Sequence, residues 1–166
     1  MFARLLAAAL LLSGVAHAQG RPQPLGEFQS WTAATHTENG QKVCYAFARA
    51  RAIDGVAGRN AQNVMLLVTH RPQGRDQVAV RAGFNFARGA EARLVVGSSE
   101  FAFFTANDTA FARDGRAAIA ALRGGREALF RAPGPNNRGQ TGDSFPLQGF
   151  TAAYEAISRE CAPPRR

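Results

Sequence analysis

Short segments of alternating polarity, separated by turn signals, recur along most of this 166-residue chain. Residues 42–51, KVCYAFARAR, alternate strictly, with large apolar side chains on one face and Cys44 among small alanines on the other. Residues 77–86 alternate in the same way, and residues 92–96 and 100–105 are joined by the hairpin signal Gly-Ser-Ser. Residues 63–70, NVMLLVTH, are apolar almost throughout, which predicts a strand buried on both faces. This rhythm predicts an all-β domain.

Two segments depart from the strand pattern and predict short helices. In the first, Asp114 can cap a helix through its carboxylate, and Ile119 and Leu122 follow on one face. The second starts at Phe150, and its apolar stripe ends on Cys161, near the end of the chain. A pair between Glu155 and Arg159 is expected on the opposite, exposed face of this last helix.

The chain divides into four parts by composition. Residues 1–18, MFARLLAAALLLSGVAHA, have a basic start, an apolar run and a small-x-small ending, which predicts a secretory signal peptide cleaved after Ala18. The apolar run is shorter than the ~20 residues that a spanning helix needs. Residues 19–27 are rich in proline and glycine and predict a flexible lead-in, residues 28–161 form one domain, and residues 162–166 are a basic tail.

The two cysteines, Cys44 and Cys161, lie 117 positions apart, one near each end of the domain. This spacing excludes a CxxC redox motif and a compact metal site. In an exported chain, the pair predicts one structural disulfide. Export would place the protein in the periplasm or outside the cell.

The formal net charge of +8 raises the prospect of an anionic partner. Arg116 and Arg123 are seven residues apart on the first predicted helix and share a face, with Arg113 and Arg126 near its ends. These four arginines are the candidate anion-binding residues. The pattern favours the alternative, in which they form the solvated side of an amphipathic helix. The phenylalanines follow strand periodicity, so an aromatic platform for nucleic acid is not expected.

Common catalytic motifs are absent from the sequence, which contains no GxSxG, HExxH, P-loop or dinucleotide fingerprint. A triad could use His36 or His70 with Ser98, Ser99 or Ser144, but no local pattern selects one. Asp143 has no carboxylate neighbour in sequence and is expected to order the entry into the last strand. No catalytic residue, cofactor or metal site is predicted.

Three stretches carry a resemblance to a known family. They are RPQGRDQVAV with the following GFNF, then EFAFFTANDTAFARDGRAAIAALRGG, and finally DSFPLQGFTAAYEAISREC. Together they resemble the invasion-associated locus B family of exported bacterial proteins over roughly residues 28–161, and the two cysteines fall where that family has its pair. Phe111 stands where family members often have Trp, which predicts a smaller core contact. Pro146 interrupts a strand that is usually rich in serine and indicates an edge strand or bulge.

The resemblance implies a mainly β, single-domain β-sandwich of immunoglobulin-like architecture with two short helices, the second at the C-terminus. It supplies no catalytic residues, and its name implies a link to host-cell entry in some host-associated bacteria. We therefore expect a non-enzymatic envelope or secreted protein that binds another envelope or host-surface component. The alternatives are a binder of polyanions such as lipopolysaccharide, phospholipid or glycan, and an unrecognised hydrolase. The oligomeric state stays open.

Overall fold

The computed structural model describes residues 21–163. The predicted signal peptide, the start of the lead-in and the last three residues of the basic tail lie outside the described residues. The ten strands are β1 Gln23–Phe28, β2 Trp31–Glu38, β3 Gln41–Arg49, β4 Met65–Arg71, β5 Gly74–Arg81, β6 Glu91–Val96, β7 Ser99–Ala106, β8 Thr109–Ala112, β9 Glu127–Pro133 and β10 Gln140–Pro146. The helices are α1 Gly115–Gly124 and α2 Phe150–Glu160, and short 3₁₀ turns cover Ala61–Asn63 and Pro135–Asn137.

All strand pairs are antiparallel, in the order β1-β2-β3-β4-β5-β8-β7-β6-β9-β10. The sheet folds over on itself, so that the segment after β3 pairs with β10, the last strand in this order. The backbone N–H of Arg51 donates to the Ser144 carbonyl at 2.8 Å, and the Ser144 N–H donates to the Ala52 carbonyl at 2.9 Å. The predicted mainly β, sandwich-like fold is confirmed.

One hydrophobic core fills the space between the two halves of the sheet. Trp31 and Leu66 from the first half and Phe103 and Phe130 from the second half are fully buried in it. Both helices close this interior, with Leu122 of α1 in the same core. Burial of these large side chains is the main source of stability, at about 1.5–3 kcal/mol for each.

The helices begin as the sequence predicts. The Asp114 carboxylate accepts a hydrogen bond from the Ala117 backbone N–H at 2.9 Å and caps α1. Gly149 precedes α2 with φ at +91°, and a Cβ there would lie 1.8 Å from the Phe28 carbonyl oxygen. Only glycine, which has no Cβ, can lie this close to the Phe28 carbonyl and adopt this positive φ. Gly149 therefore allows the chain to turn sharply from β10 into α2. Neither helix has the length and apolarity to cross a bilayer within the described part of the chain.

The lead-in expected at residues 19–27 is a strand from Gln23 onward, which corrects that interpretation. Pro24 cannot donate a ladder hydrogen bond, but β1 is an edge strand and its register with β2 shifts between Pro24 and Gly26. Edge strands and bulges are the positions in a sheet that tolerate proline. Pro146 obeys the same rule, because it is the last residue of the other edge strand, as predicted.

Candidate functional site

The disulfide between Cys44 and Cys161 is present and joins β3 to the end of α2. Cys44 is fully buried, and its neighbours on the same face, Ala46 and Ala48, are small enough to let α2 approach the strand. The helix presents Phe150 and Ile157, both fully buried, on the side that carries the cysteine. The predicted disulfide is confirmed, and its position is structural, between a strand and the helix that covers it.

Two of the four candidate anion-binding arginines already have acidic partners. Arg113 lies 3.0 Å from a Glu91 oxygen. Arg123 lies 3.3 Å from a Glu155 oxygen, so the glutamate expected to pair with Arg159 instead joins the two helices. A phosphate group would have to compete with these carboxylates.

The other two candidates, Arg116 and Arg126, are exposed and form no ion pair with any residue in the range 21–163. Arg116 and Arg123 do lie on one helix, whereas Arg113 precedes it and contacts β7. Two of the four arginines are therefore paired with carboxylates, and the other two are not. An anion-binding site at these arginines stays a prediction.

His70 lies in a buried polar cluster between β4, β5 and α2. Its Nε2 is 3.0 Å from the Ser158 hydroxyl, and its Nδ1 is 3.7 Å from a carboxylate oxygen of Asp76. The Tyr154 hydroxyl donates to that carboxylate at 2.7 Å. Serine, histidine and aspartate thus come together, as a hydrolase would require, in a combination that the sequence did not single out.

The hydrogen bonds of this cluster oppose catalysis by His70. The backbone N–H of Asp76 donates to Nδ1 at 3.2 Å, so Nδ1 is an acceptor and the ring proton is on Nε2. Nε2 then donates to Ser158 and cannot take its proton. The side chain of His70 is also fully buried. Burial and the nearby Arg75 lower the pKa of His70 from 6.5 to about 4, and the ring is neutral at pH 7.

The second histidine, His36, lies at the outer surface with its Nε2 2.8 Å from Glu38. Arg71 holds the same carboxylate with two hydrogen bonds of 2.8 and 3.0 Å. The hydrogen bond from Arg71 is the largest cause that lowers the pKa of Glu38 from 4.5 to about 2. No cluster of three or more metal-ligating side chains occurs among the described residues.

A row of side chains crosses the outer face of the sheet, on the side away from the core. Because directly opposed residues in an antiparallel sheet share a face, the row can be followed from strand to strand by the pairing register. It comprises Phe104 of β7, Phe111 of β8, Ala79 of β5, Leu67 of β4 and Phe47 of β3. Four strand spacings make it about 19 Å long. We call it the outer apolar row.

Water reaches most of the outer apolar row. The side chain of Phe104 is 44% exposed. Its ring stacks on Phe111 at 5.5 Å, and Leu67 and Phe47 are half-buried. Two guanidinium groups lie over the ends of the row, Arg113 5.8 Å from the ring of Phe104 and Arg49 5.4 Å from the ring of Phe47. Such contacts stabilise by about 0.5–1 kcal/mol at exposed sites.

The outer apolar row corrects two expectations. β4 is not buried on both faces, because Leu66, Val68 and His70 point inward while Leu67 remains partly exposed. Phe111 contributes no core contact, because its cross-strand partner is Phe104 on the outer face. The apolar sequence of β4 therefore belongs to a strand with one buried face and one half-exposed face. An apolar run alone does not distinguish this case from a strand buried on both faces.

Asp143 is fully buried and forms a bidentate ion pair with Arg59, with both oxygen–nitrogen distances at 2.7 Å. The arginine side chain is only 2% exposed and also donates to the carbonyls of Asp54 and Ala82. Asp143, which we expected to order the entry into the last strand, lies within β10. Its partner Arg59 is 84 residues away, and the sequence did not indicate it. The pair ties the loop after β3 to β10.

Comparison with known proteins agrees with the fold. The sequence model of the family described as "Invasion associated locus B (IalB) protein" matches residues 31–158. The crystal structure of invasion associated protein B from Bartonella henselae is similar, with a TM-score of 0.55 and 17% sequence identity. That match covers 81% of this chain and 95% of the other, and at this identity it concerns the fold alone.

No curated protein matches the chain closely enough to count as a relative. The family match, in contrast, extends over most of the chain, from the buried Trp31 of β2 to Ser158 in the last helix. The chain therefore belongs to the invasion associated locus B family.

Proposed function

We propose that this protein is an exported, non-enzymatic binding domain of the bacterial envelope and that it binds a partner protein on its outer apolar row. Export is supported by the signal-peptide pattern of residues 1–18 and by the disulfide, which persists in oxidising compartments. After cleavage at Ala18 the domain would be periplasmic or secreted.

The observation that carries the binding proposal is the outer apolar row, in which Phe104 is exposed and Phe111, Leu67 and Phe47 are half-buried, while Ala79 of β5 between them is buried. Exposed apolar patches on soluble domains mark interaction sites when they are contiguous. The composition of this surface also matters, because aromatic residues, Met and Arg are enriched in protein interfaces while Lys is depleted. Met65 and Tyr45 flank the row, and Arg49 and Arg113 cover its ends.

Charge indicates what the partner carries. Arg49 forms no ion pair with any described residue, and its Nε makes only a 3.3 Å hydrogen bond to the Gln62 carbonyl. Arg113 has a single, exposed partner in Glu91. A partner surface with an apolar centre and carboxylates opposite these arginines would complement the row, in a chain whose net charge is +8.

A binding role also accounts for the polar cluster at His70 without catalysis. The ring proton of His70 points at Ser158, and the group is fully buried, so the cluster satisfies polar groups under α2. The hydrolase alternative requires the opposite tautomer and an open path to the serine.

Site-specific photocrosslinking in intact cells of the source bacterium tests this proposal. A photoreactive amino acid at Phe104 should yield one adduct of defined mass, and the same amino acid at the exposed Ala120 of α1 should not. The adduct should be lost when Phe47→Ser removes the far end of the row. The partner, identified by mass spectrometry and purified, should bind the wild-type domain and not the Phe47→Ser variant.

Equal adducts at positions 104 and 120, or none at position 104, would contradict the proposal. The polyanion alternative makes a different prediction. Binding of lipopolysaccharide would weaken steeply with salt and would be lost in an Arg116→Gln/Arg123→Gln variant, while the outer apolar row would be irrelevant.

A further inference from the structure

Three segments meet at one end of the sandwich and form a polar cleft of about 480 Å³. The loop after β3 contributes Arg59 and Asn63, the loop after β5 contributes Phe84 and Asn85, and the Arg81–Asp108 ion pair borders the opening. In β-sandwiches the loops at the ends of the strands commonly carry binding sites, because a rigid scaffold presents them.

The cleft is built on a rigid floor. Beneath it lies the Arg59–Asp143 ion pair, in which both side chains are buried. The loop after β5 is held at two points, by the Ala82 N–H to the Asp108 carbonyl at 2.9 Å and by the Phe86 N–H to the Asn107 carbonyl at 2.8 Å. These contacts fix the backbone of the loop that carries Phe84 and Asn85 before any ligand arrives, which lowers the entropic cost of binding.

One buried donor in this floor has no partner. Four of the five guanidinium N–H groups of Arg59 are used by Asp143 and two carbonyls, whereas its Nε, also buried, makes no hydrogen bond with any described residue. A buried donor without a partner costs about 1–3 kcal/mol. The four hydrogen bonds that Arg59 does make offset this cost and hold its guanidinium group in the floor of the cleft.

The chemistry of the lining indicates the class of ligand. The side-chain amides of Asn63 and Asn85 are exposed and make no side-chain hydrogen bonds among residues 21–163, and each offers both a donor and an acceptor. Both charged pairs at the cleft are internally neutralised, at 2.7 Å for Arg59 and 2.8 Å for Arg81, so no net positive charge is left for an anion. The half-buried ring of Phe84 adds an aromatic side chain, whose centroid lies 5.7 Å from the guanidinium carbon of Arg59 and 4.8 Å from the centroid of the Phe86 ring.

Balanced donors and acceptors beside a single aromatic face match a neutral sugar ring, whose hydroxyl groups both donate and accept and whose C–H face is apolar. We propose that this cleft binds a neutral hexose unit of a glycan, with the ring of Phe84 against the sugar face and the amides of Asn63 and Asn85 on its hydroxyls. The site is separate from the outer apolar row and from the arginines of α1.

Saturation-transfer NMR with the purified, disulfide-bonded domain tests the proposal. The probes are glucose, galactose, mannose and N-acetylglucosamine, with inorganic phosphate as a competitor. At least one hexose should receive saturation, and phosphate should not displace it. Loss of one amide in Asn85→Ala should weaken binding by about tenfold, from the net value of a hydrogen bond.

Phe84→Leu, which keeps an apolar side chain but removes the ring face, should weaken binding by a similar factor. Arg116→Gln on α1 is the matched control and should bind like the wild type. Thermal unfolding of each variant shows whether it is folded. No transfer to any of the four hexoses, displacement by phosphate, or unchanged binding in folded Phe84→Leu and Asn85→Ala variants would overturn the proposal.

Discussion

The buried imidazole of His70 makes the stability of this protein depend on pH in a defined direction. The folded state keeps the ring neutral, because burial and Arg75 lower its pKa from 6.5 to about 4. The unfolded chain therefore binds a proton more readily than the folded one between these two values. Stability from this group is complete above pH 6.5 and is lost as the pH falls through 4.

The size of the effect follows from the two pKa values. Linkage lowers the free energy of unfolding by about 2 kcal/mol between pH 8 and pH 5, and by about 3 kcal/mol below pH 4. Most carboxylates remain ionised at pH 5, so the upper part of this range isolates the histidine. The neutral ring is also the form that the hydrogen bond from the Asp76 N–H requires, because Nδ1 must accept it.

Urea unfolding of the wild type and of His70→Gln, at intervals from pH 8 to pH 5, measures the effect. The variant loses some stability at every pH, but it lacks the titrating group. The difference in the free energy of unfolding between the two proteins should therefore shrink by about 2 kcal/mol on acidification. Parallel curves, or an NMR titration that places the pKa of His70 near 6.5, would refute the reasoning.

Three further substitutions test the disulfide, the buried ion pair and the helix cap. Cys161→Ser opens a loop of 117 residues and should lower the free energy of unfolding by about 5 kcal/mol in the chain-entropy model, measured by urea denaturation. Asp143→Asn leaves the buried Arg59 charge unpaired and should cost about 3–5 kcal/mol in the same assay. Asp114→Ala removes the N-cap of α1 and should cost about 1 kcal/mol, seen as a small drop in Tm.

The matched control for the ion pair is Glu100→Gln, which breaks the exposed pair with Arg93 and should change stability by less than about 1 kcal/mol. Equal losses for Asp143→Asn and Glu100→Gln would show that the buried pair is not special. A free thiol at Cys44 in the oxidised wild type would contradict the disulfide. If the Tm of Asp114→Ala equals the wild-type value, the first turn of α1 is stabilised by packing and not by the Asp114 cap.

Features with a short-range physical cause could be predicted from the sequence. Period-two alternation sets strand faces, so the inward Cys44 and the outward Phe104 follow from position along the strand. The Asp114 cap depends on residues within a few positions of each other, whereas glycine is required at position 149 by the close approach of the Phe28 carbonyl from a distant strand. With two cysteines in the chain, a single pairing was available.

The strand at Gln23–Phe28 could not be predicted, because its proline and glycine content favours a loop until an edge is available to pair with. The candidate sites were also beyond the sequence. Each is assembled from residues that are remote in the chain, and Arg59 meets Asp143 across 84 positions.

The sequence by itself determined the fold class, the helix ends and the disulfide, because local backbone preferences, periodicity and a single cysteine pair decide them. Only the tertiary structure decided which faces stay open. Strand register brings Phe104, Phe111, Leu67 and Phe47 into one outer row, and folding of the sheet encloses His70 beside Ser158. Register and closure depend on the summed packing of the whole core, so no short segment encodes them.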